Sequence, residues 1–243
     1  YINFIVYCMN DLWDNLISLQ DEFIKKFSDV GVEIFEPGMD HFNQPGWMNK
    51  VWQTESVRRC HIDVVDVRDT KKLWMMHVCI FPNLDNTSPI FGFDVISGKN
   101  KMTGAFHDFS ATTHKDHFMI KWFADSVSNF VPVKRRPLPE WALNIFSPSM
   151  VAASNVNTEA ESLDIIMLTL KNLNYYFDNV SESNGRGIVE EVSERQNYYC
   201  DNQKKNPHTP KVMKSLGLDE EDVNLFCSDI LFPRINIGYD TSQ

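Results

Sequence analysis

Residues 73–98 read LWMMHVCIFPNLDNTSPIFGFDVISG, and the two apolar runs at its ends decide the fold. In the second run Ile90, Gly92, Asp94 and Ile96 fall on one face of an extended strand, and Phe91, Phe93 and Val95 on the other. In the first run, 73–81, large apolar side chains occupy both faces, and His77 is the one side chain of a type that titrates near neutral pH. A strand apolar on both faces belongs inside a sheet that is covered on both sides. The link between the runs is short, which implies antiparallel pairing without a crossover helix. Upstream, 60–65 reads CHIDVV and places Asp63 in a third run. Three successive strands thus set acid or imidazole groups among apolar neighbours. An ionised carboxylate there is costly unless it is paired, raised in pKa or used. The pattern suggests proton chemistry on an apolar substrate.

From about 51 to 112 the texture is strand, turn, strand. The breaks are Asp69-Thr70-Lys71, residues 82–89, and the hairpin signal Gly98-Lys99-Asn100. The remainder reads mostly as helix. Leu12, Leu16, Leu19, Phe23 and Phe27 recur at helical spacing over 11–27, and further helices are predicted near 116–130, 158–180, 187–205, 208–216 and 219–231. Thr158 and Glu161 fit a capping box, and Gly217 a helix stop before the acidic first turn of 219–222. Pro132, Pro137 and Pro139 mark a loop. The expected fold is α/β, a three-layer α/β/α sandwich with a central antiparallel sheet, formed by one domain over 1–243.

The chain has 243 residues, 43% of them hydrophobic, enough for a substantial core, and a net charge of −10, which argues against a nucleic-acid partner. No run of about 18 apolar residues predicts a membrane span. Residues 1–9 are apolar but lack a basic flank and a cleavage signal, so no signal peptide is expected. The five cysteines are scattered and form no CxxC, which suits a reducing, cytoplasmic setting. Dinucleotide, P-loop, serine-hydrolase and zinc-protease motifs are absent from the sequence. His114-x-x-His117 lacks an obvious third metal ligand and reads as a loop or helix start, so no metal is expected. Lys134-Arg135-Arg136 reads as a solvated loop that, with Lys204, Lys205, Lys211 and Lys214, offers a local basic face to an acidic partner.

At this point the motifs resemble a known family. His61-x-Asp63, MMHVCIFP, PIFGFDVISG followed by a hairpin and AFHDFSAT, YYCDNQKKN (198–206) and SDILFPRI are similar to the ferredoxin-dependent bilin reductases, and within them to the phycocyanobilin-forming branch. The resemblance runs from about 55 to 112 and from 198 to 235, and is poor over 113–157. It implies an antiparallel sheet between helical layers, with biliverdin IXα bound between the sheet and the C-terminal helices. It further implies no bound cofactor, electrons delivered singly by reduced ferredoxin, and protons supplied by the protein. A monomer is expected.

Carried over position by position, Asp94 matches the central proton-donating aspartate and His77 its histidine partner at the pyrrole lactams. Asp63 stands where the phycocyanobilin-forming branch has a glutamate that serves the D-ring vinyl group. Thr103, Asn206, Val212, Leu231 and Phe232 match substrate-contacting positions. An arginine expected before Ser154-Asn155 is missing, which leaves the substrate's propionates to be held otherwise, by Lys211 or solvent, and His208 stands at a position expected to be basic. The aspartate of the four-electron phycoerythrobilin synthases falls near Pro207 and is also missing. Asp63 is one methylene short of glutamate, so its oxygen sits about 1–1.5 Å further from a substrate, where proton transfer needs hydrogen-bond reach. The expected product is therefore phycoerythrobilin. The alternatives are phycocyanobilin, or a carrier that binds the pigment without reducing it.

Overall fold

A computed structural model describes residues 11–113, 116–182 and 188–236. Seven strands follow one another in chain order, each antiparallel to the next: β1 (Val32–Ile34), β2 (Trp47–Gln53), β3 (Val57–Val67), β4 (Leu73–Pro82), β5 (Ile90–Ser97), β6 (Met102–Ser110) and β7 (Val151–Val156). The helices are α1 (Leu12–Val30), α2 (Met39–Phe42), α3 (Arg68–Lys71), α4 (Phe118–Val127), α5 (Glu140–Leu143), α6 (Glu159–Asn179), α7 (Val189–Gln203), α8 (His208–Leu216) and α9 (Glu220–Leu225).

Period-two alternation divides the central strands between two cores. Ile62, Met76, Val78, Phe91 and Phe93 pack against α1, α4 and α6 on one face. Val65, Met75, Cys79, Ile90 and Ile96 belong to the other core, with Tyr199 of α7, Met213 of α8 and Phe226. The α/β/α layering and the antiparallel sheet are as the sequence predicts. Asp11 caps α1 by accepting from the Asp14 N–H at 3.0 Å. Leu16, Leu19, Phe23 and Phe27 are buried along one stripe of α1, and Phe23 stacks on Phe93. Each such side chain contributes roughly 1.5–3 kcal/mol by burial.

Several elements depart from the sequence reading. β1, β2 and β7 were not among the expected strands, and the break at 69–71 is a single helical turn. Thr158 does cap α6, but Glu161 does not close the box: its carboxylate accepts from the Val133 N–H at 2.9 Å and ties down the proline-rich loop. The helix expected over 219–231 is α-helical to Leu225 and then widens into a π-helical stretch, Phe226–Leu231. Such wide turns are frequent at functional sites. Gly217 ends α8 with φ 110°, the left-handed conformation that favours glycine. His117 caps α4, its ring nitrogen accepting from the Met119 N–H. The apolar reading of 1–9 and the His114 half of the histidine pair lie outside the described residues. Among the described residues no helix is long and apolar enough to cross a membrane.

Candidate active site

The strand registers align a transverse row on one face of the sheet. Asn49 lies opposite Asp63, Asp63 opposite His77, His77 opposite Asp94, Asp94 opposite Phe106, and Phe106 opposite Ala152. Directly opposed residues share a face, and strands lie about 4.8 Å apart. Asp63 and Asp94 are therefore separated by about 10 Å, two strand spacings, with His77 midway. An elongated substrate lying along the row meets all three groups.

Each of the three is poised by its surroundings. Asp63 is buried and accepts from the Trp47 indole N–H through Oδ1 at 2.6 Å, while Oδ2 has no partner among the described residues. Burial raises its pKa to about 7, the Trp47 hydrogen bond opposes this, and the Asp94 charge adds to it. Burial likewise raises Asp94 to about 7 against the lowering effect of Arg136. Burial and then the Arg59 charge lower His77 to about 4. Its Nδ1 is buried without a partner among the described residues, and its ring meets Phe232 edge-on at 5.4 Å. Near neutral pH the row thus holds two carboxyls balanced between acid and base and one neutral imidazole able to donate and accept. A buried polar atom without a partner costs about 1–3 kcal/mol; a polar substrate group laid on the row would relieve that cost.

The row forms the floor of a cavity of about 910 Å³, near the top of the 300–1,000 Å³ range of small-molecule sites. All ten predicted site residues border it. Asp63, His77 and Asp94 lie on the floor. Asn206 comes from the turn before α8, and His208, Lys211 and Val212 from the first half of α8. Leu231 and Phe232 come from the end of the π-helical stretch. That end is held by buried Arg59, which donates to the Ile230 carbonyl at 2.7 Å and is paired with Glu36. Thr103 stands exposed at the edge, its hydroxyl donating to the Ile96 carbonyl at 3.1 Å. The Asn206 amide is committed to the turn into α8, accepting from the His208 N–H and donating to the Thr209 hydroxyl.

Other lining residues were not foreseen. Tyr199 and Gln203 of α7 form a hydrogen-bonded pair at the inner wall. Asp108 lines the cavity and takes hydrogen bonds from the Ser147 backbone N–H and hydroxyl and the Ser110 hydroxyl, which anchors the loop carrying Phe146. The basic loop needs a correction: Arg136 is not solvated with its neighbours but lines the cavity. Trp47 carried a readable signal, since Pro45-Gly46 marks a turn and WMNKVWQ alternates after it. Among the described residues no cluster of three His, Cys, Asp or Glu side chains could hold a metal ion.

The two carboxyls make stability pH-dependent. Each holds its proton more tightly in the fold than in the unfolded chain, where aspartate titrates near 3.9. Their contribution is full below about pH 4 and is lost as pH rises through about 7. His77 acts oppositely, its contribution being lost as pH falls from about 6.5 to 4. Asp94→Asn removes one carboxyl from this balance. It is expected to raise the melting temperature of the unliganded protein by about 3–8 °C at pH 8 and by less than half of that at pH 5. Thermal denaturation of both proteins across this range checks it; a gain that does not depend on pH would refute the buried-acid reading.

Comparisons with known proteins follow the same lines. The profile of the ferredoxin-dependent bilin reductase family matches residues 18–233. A phycocyanobilin:ferredoxin oxidoreductase of Synechococcus sp. is 26% identical over 179 residues, covering 72% of this chain and 71% of that protein. One from Prochlorococcus marinus is 25% identical over 191 residues, covering 76% of each. A solved structure named PcyX is 41% identical and superposes with a TM-score of 0.68, over 91% of this chain and 99% of that one. Phytochromobilin synthase from tomato, solved in complex with biliverdin, shares the fold at 13% identity, with a TM-score of 0.73 over 89% of this chain and 82% of that one. A match over nearly the whole chain, on a sheet whose floor carries the expected acids and imidazole, makes this protein a member of the ferredoxin-dependent bilin reductases.

Proposed function

We propose that the enzyme reduces biliverdin IXα to phycoerythrobilin. Four reduced ferredoxins each give up one electron, and four protons enter through the protein, so that the pigment gains four hydrogens overall. No bound cofactor takes part in this scheme. The observation that carries it is the Asp63–His77–Asp94 row beneath a large, mostly apolar-walled cavity. Asp94 is the proton donor, and its raised pKa leaves it partly protonated at neutral pH. Neutral His77 hydrogen-bonds the lactam region beside it. Leu231 and Phe232 cover the pigment, and Val212 and Thr103 bound its edges. The acidic donor protein would meet Lys134 and Arg135, exposed next to the Arg136 wall, and Lys205 at the rim.

The product assignment rests on Asp63. Its short side chain is held back by Trp47 at 2.6 Å, away from a D-ring vinyl group above the floor. The methine bridge between the C and D rings stays within reach of Asp94 and His77. The second reading is phycocyanobilin. The two relatives bearing that name favour it, and so does the pKa of Asp63, which is suited to an acid.

Biliverdin added to the protein is expected to give a red-shifted, structured absorption band that reduced ferredoxin then bleaches or blue-shifts. A band that persists would identify a carrier. Chromatography of the completed reaction should show phycoerythrobilin, with Asp63→Glu shifting product toward vinyl reduction. Phycocyanobilin as the dominant wild-type product would show that one methylene at position 63 does not set regiochemistry.

A further inference from the structure

The active-site row does not end at β7. The Arg136 N–H donates to the Ala152 carbonyl at 2.9 Å, the Ser154 N–H donates to the Lys134 carbonyl at 2.9 Å, and Arg135 bridges antiparallel to Ala153. Residues 134–136 therefore add a short strand segment outside β7, in a register that sets Arg136 opposite Ala152. Ala152 is opposite Phe106, and Phe106 is opposite Asp94. Arg136 is thus the last member of the row that begins at Asp63. Its backbone lies three strand spacings from Asp94, about 14 Å, but its side chain reaches back over the sheet. The guanidinium stands 5.5 Å from the centre of the Phe106 ring. Two small residues clear the path, Ala152 beneath and Gly104 beside it; a Cβ at Gly104 would lie 2.9 Å from the Phe106 ring and 3.7 Å from Arg136 Nη1.

The side-chain partner of the guanidinium is an imidazole, where a carboxylate would be usual; its charge also acts on Asp94 and lowers that carboxyl's pKa, without an ion pair between them. Arg136 Nη2 lies 3.1 Å from His208 Nε2, which accepts when the imidazole is neutral. Burial, Arg136 and Lys211 all disfavour the charged form of His208. Among the described residues neither Arg136 nor Lys211 forms an ion pair. Two cationic side chains and an imidazole on one side of a cavity, none of them ion-paired among the described residues, fit a carboxylate brought by the ligand.

We infer that Arg136, with His208 and Lys211, forms the subsite that holds a propionate carboxylate of the pigment. An arginine one strand outside β7 reaches inward to do what the small residues Ala152 and Ala153 cannot. This rests on the biliverdin reading above and adds the residue that fixes the pigment's position along the row. Phe106 supplies the flat surface over which the guanidinium is held, and His208 supports it from α8.

The experiment is a thermodynamic cycle on protein and ligand together. Biliverdin and its dimethyl ester, in which both propionates are neutral, are titrated by absorbance into wild-type protein, Arg136→Gln and the neighbouring control Arg135→Gln. Esterification should weaken binding to wild type and Arg135→Gln by about ten- to a hundred-fold. Arg136→Gln should lose a similar factor for biliverdin but bind the ester nearly as well as wild type does. Unchanged biliverdin affinity in Arg136→Gln, or losses from mutation and esterification that multiply independently, would overturn the subsite while leaving the bilin reading intact. Failure of wild-type protein to bind biliverdin at all would overturn that reading instead. Equal melting temperatures of the three unliganded proteins would exclude misfolding; if Arg136→Gln melts lower, Arg136→Lys, which keeps the charge, should recover most of the biliverdin affinity.

Discussion

Asp94→Asn is expected to bind biliverdin with near-wild-type affinity and to lose about 10²- to 10⁴-fold in turnover, the usual contribution of a positioned acid or base. The amide keeps the shape of the carboxyl and can still donate and accept hydrogen bonds, but it carries no transferable proton. In the wild type, burial lifts Asp94 to about 7, so it can give a proton to a one-electron-reduced pigment and recover it from solvent. With asparagine, electrons still arrive but protons do not follow, and the reaction should stall at a radical visible by electron spin resonance. Single-turnover absorbance with reduced ferredoxin measures the loss. Product formation within a few-fold of wild type would remove Asp94 from the mechanism.

His77→Gln is expected to keep the fold and slow a later, proton-coupled step by about 10- to 10²-fold. His77 sits between the two carboxyls in register, and burial holds it neutral. Glutamine can hydrogen-bond at this place but cannot cycle a proton near neutral pH. The step affected should show as accumulation of an intermediate, not as loss of pigment binding. If His77→Gln unfolds, and biliverdin gives no thermal protection, His77 is a core residue whose ring packs beside Phe232 and does no more.

The poor family resemblance over 113–157 has a structural counterpart. That stretch supplies Arg136, Trp141 and Phe146 to one wall of the cavity. The floor is made by β3, β4 and β5, where the resemblance is strong. The acids and imidazole of the floor and the residues of this wall thus come from different parts of the chain.

Much of this was present in the sequence alone. Alternation placed Asp94 with Ile90 and Ile96, and opposite Phe91 and Phe93, because side-chain direction along a strand depends only on parity. The short links at 82–89 and 98–100 implied antiparallel neighbours, and the twofold apolar character of 73–81 implied cover on both sides. These are local properties that any stretch of chain carries with it. The registers that line up Asp63, His77 and Asp94 depend on how three strands slide against one another, and no single strand states that. The widening of the last helix at Phe226, the bond from Glu161 to Val133 and the tether from Trp47 to Asp63 join residues whose partners only the folded chain selects. Arg136 shows the limit most clearly. In sequence it is the third member of a basic run in a proline-rich loop. Pairing of residues 134–136 with β7 puts it on the opposite face from Arg135 and turns it over Phe106, because a strand's facing is decided by the neighbour it pairs with, here Ala152, sixteen residues away.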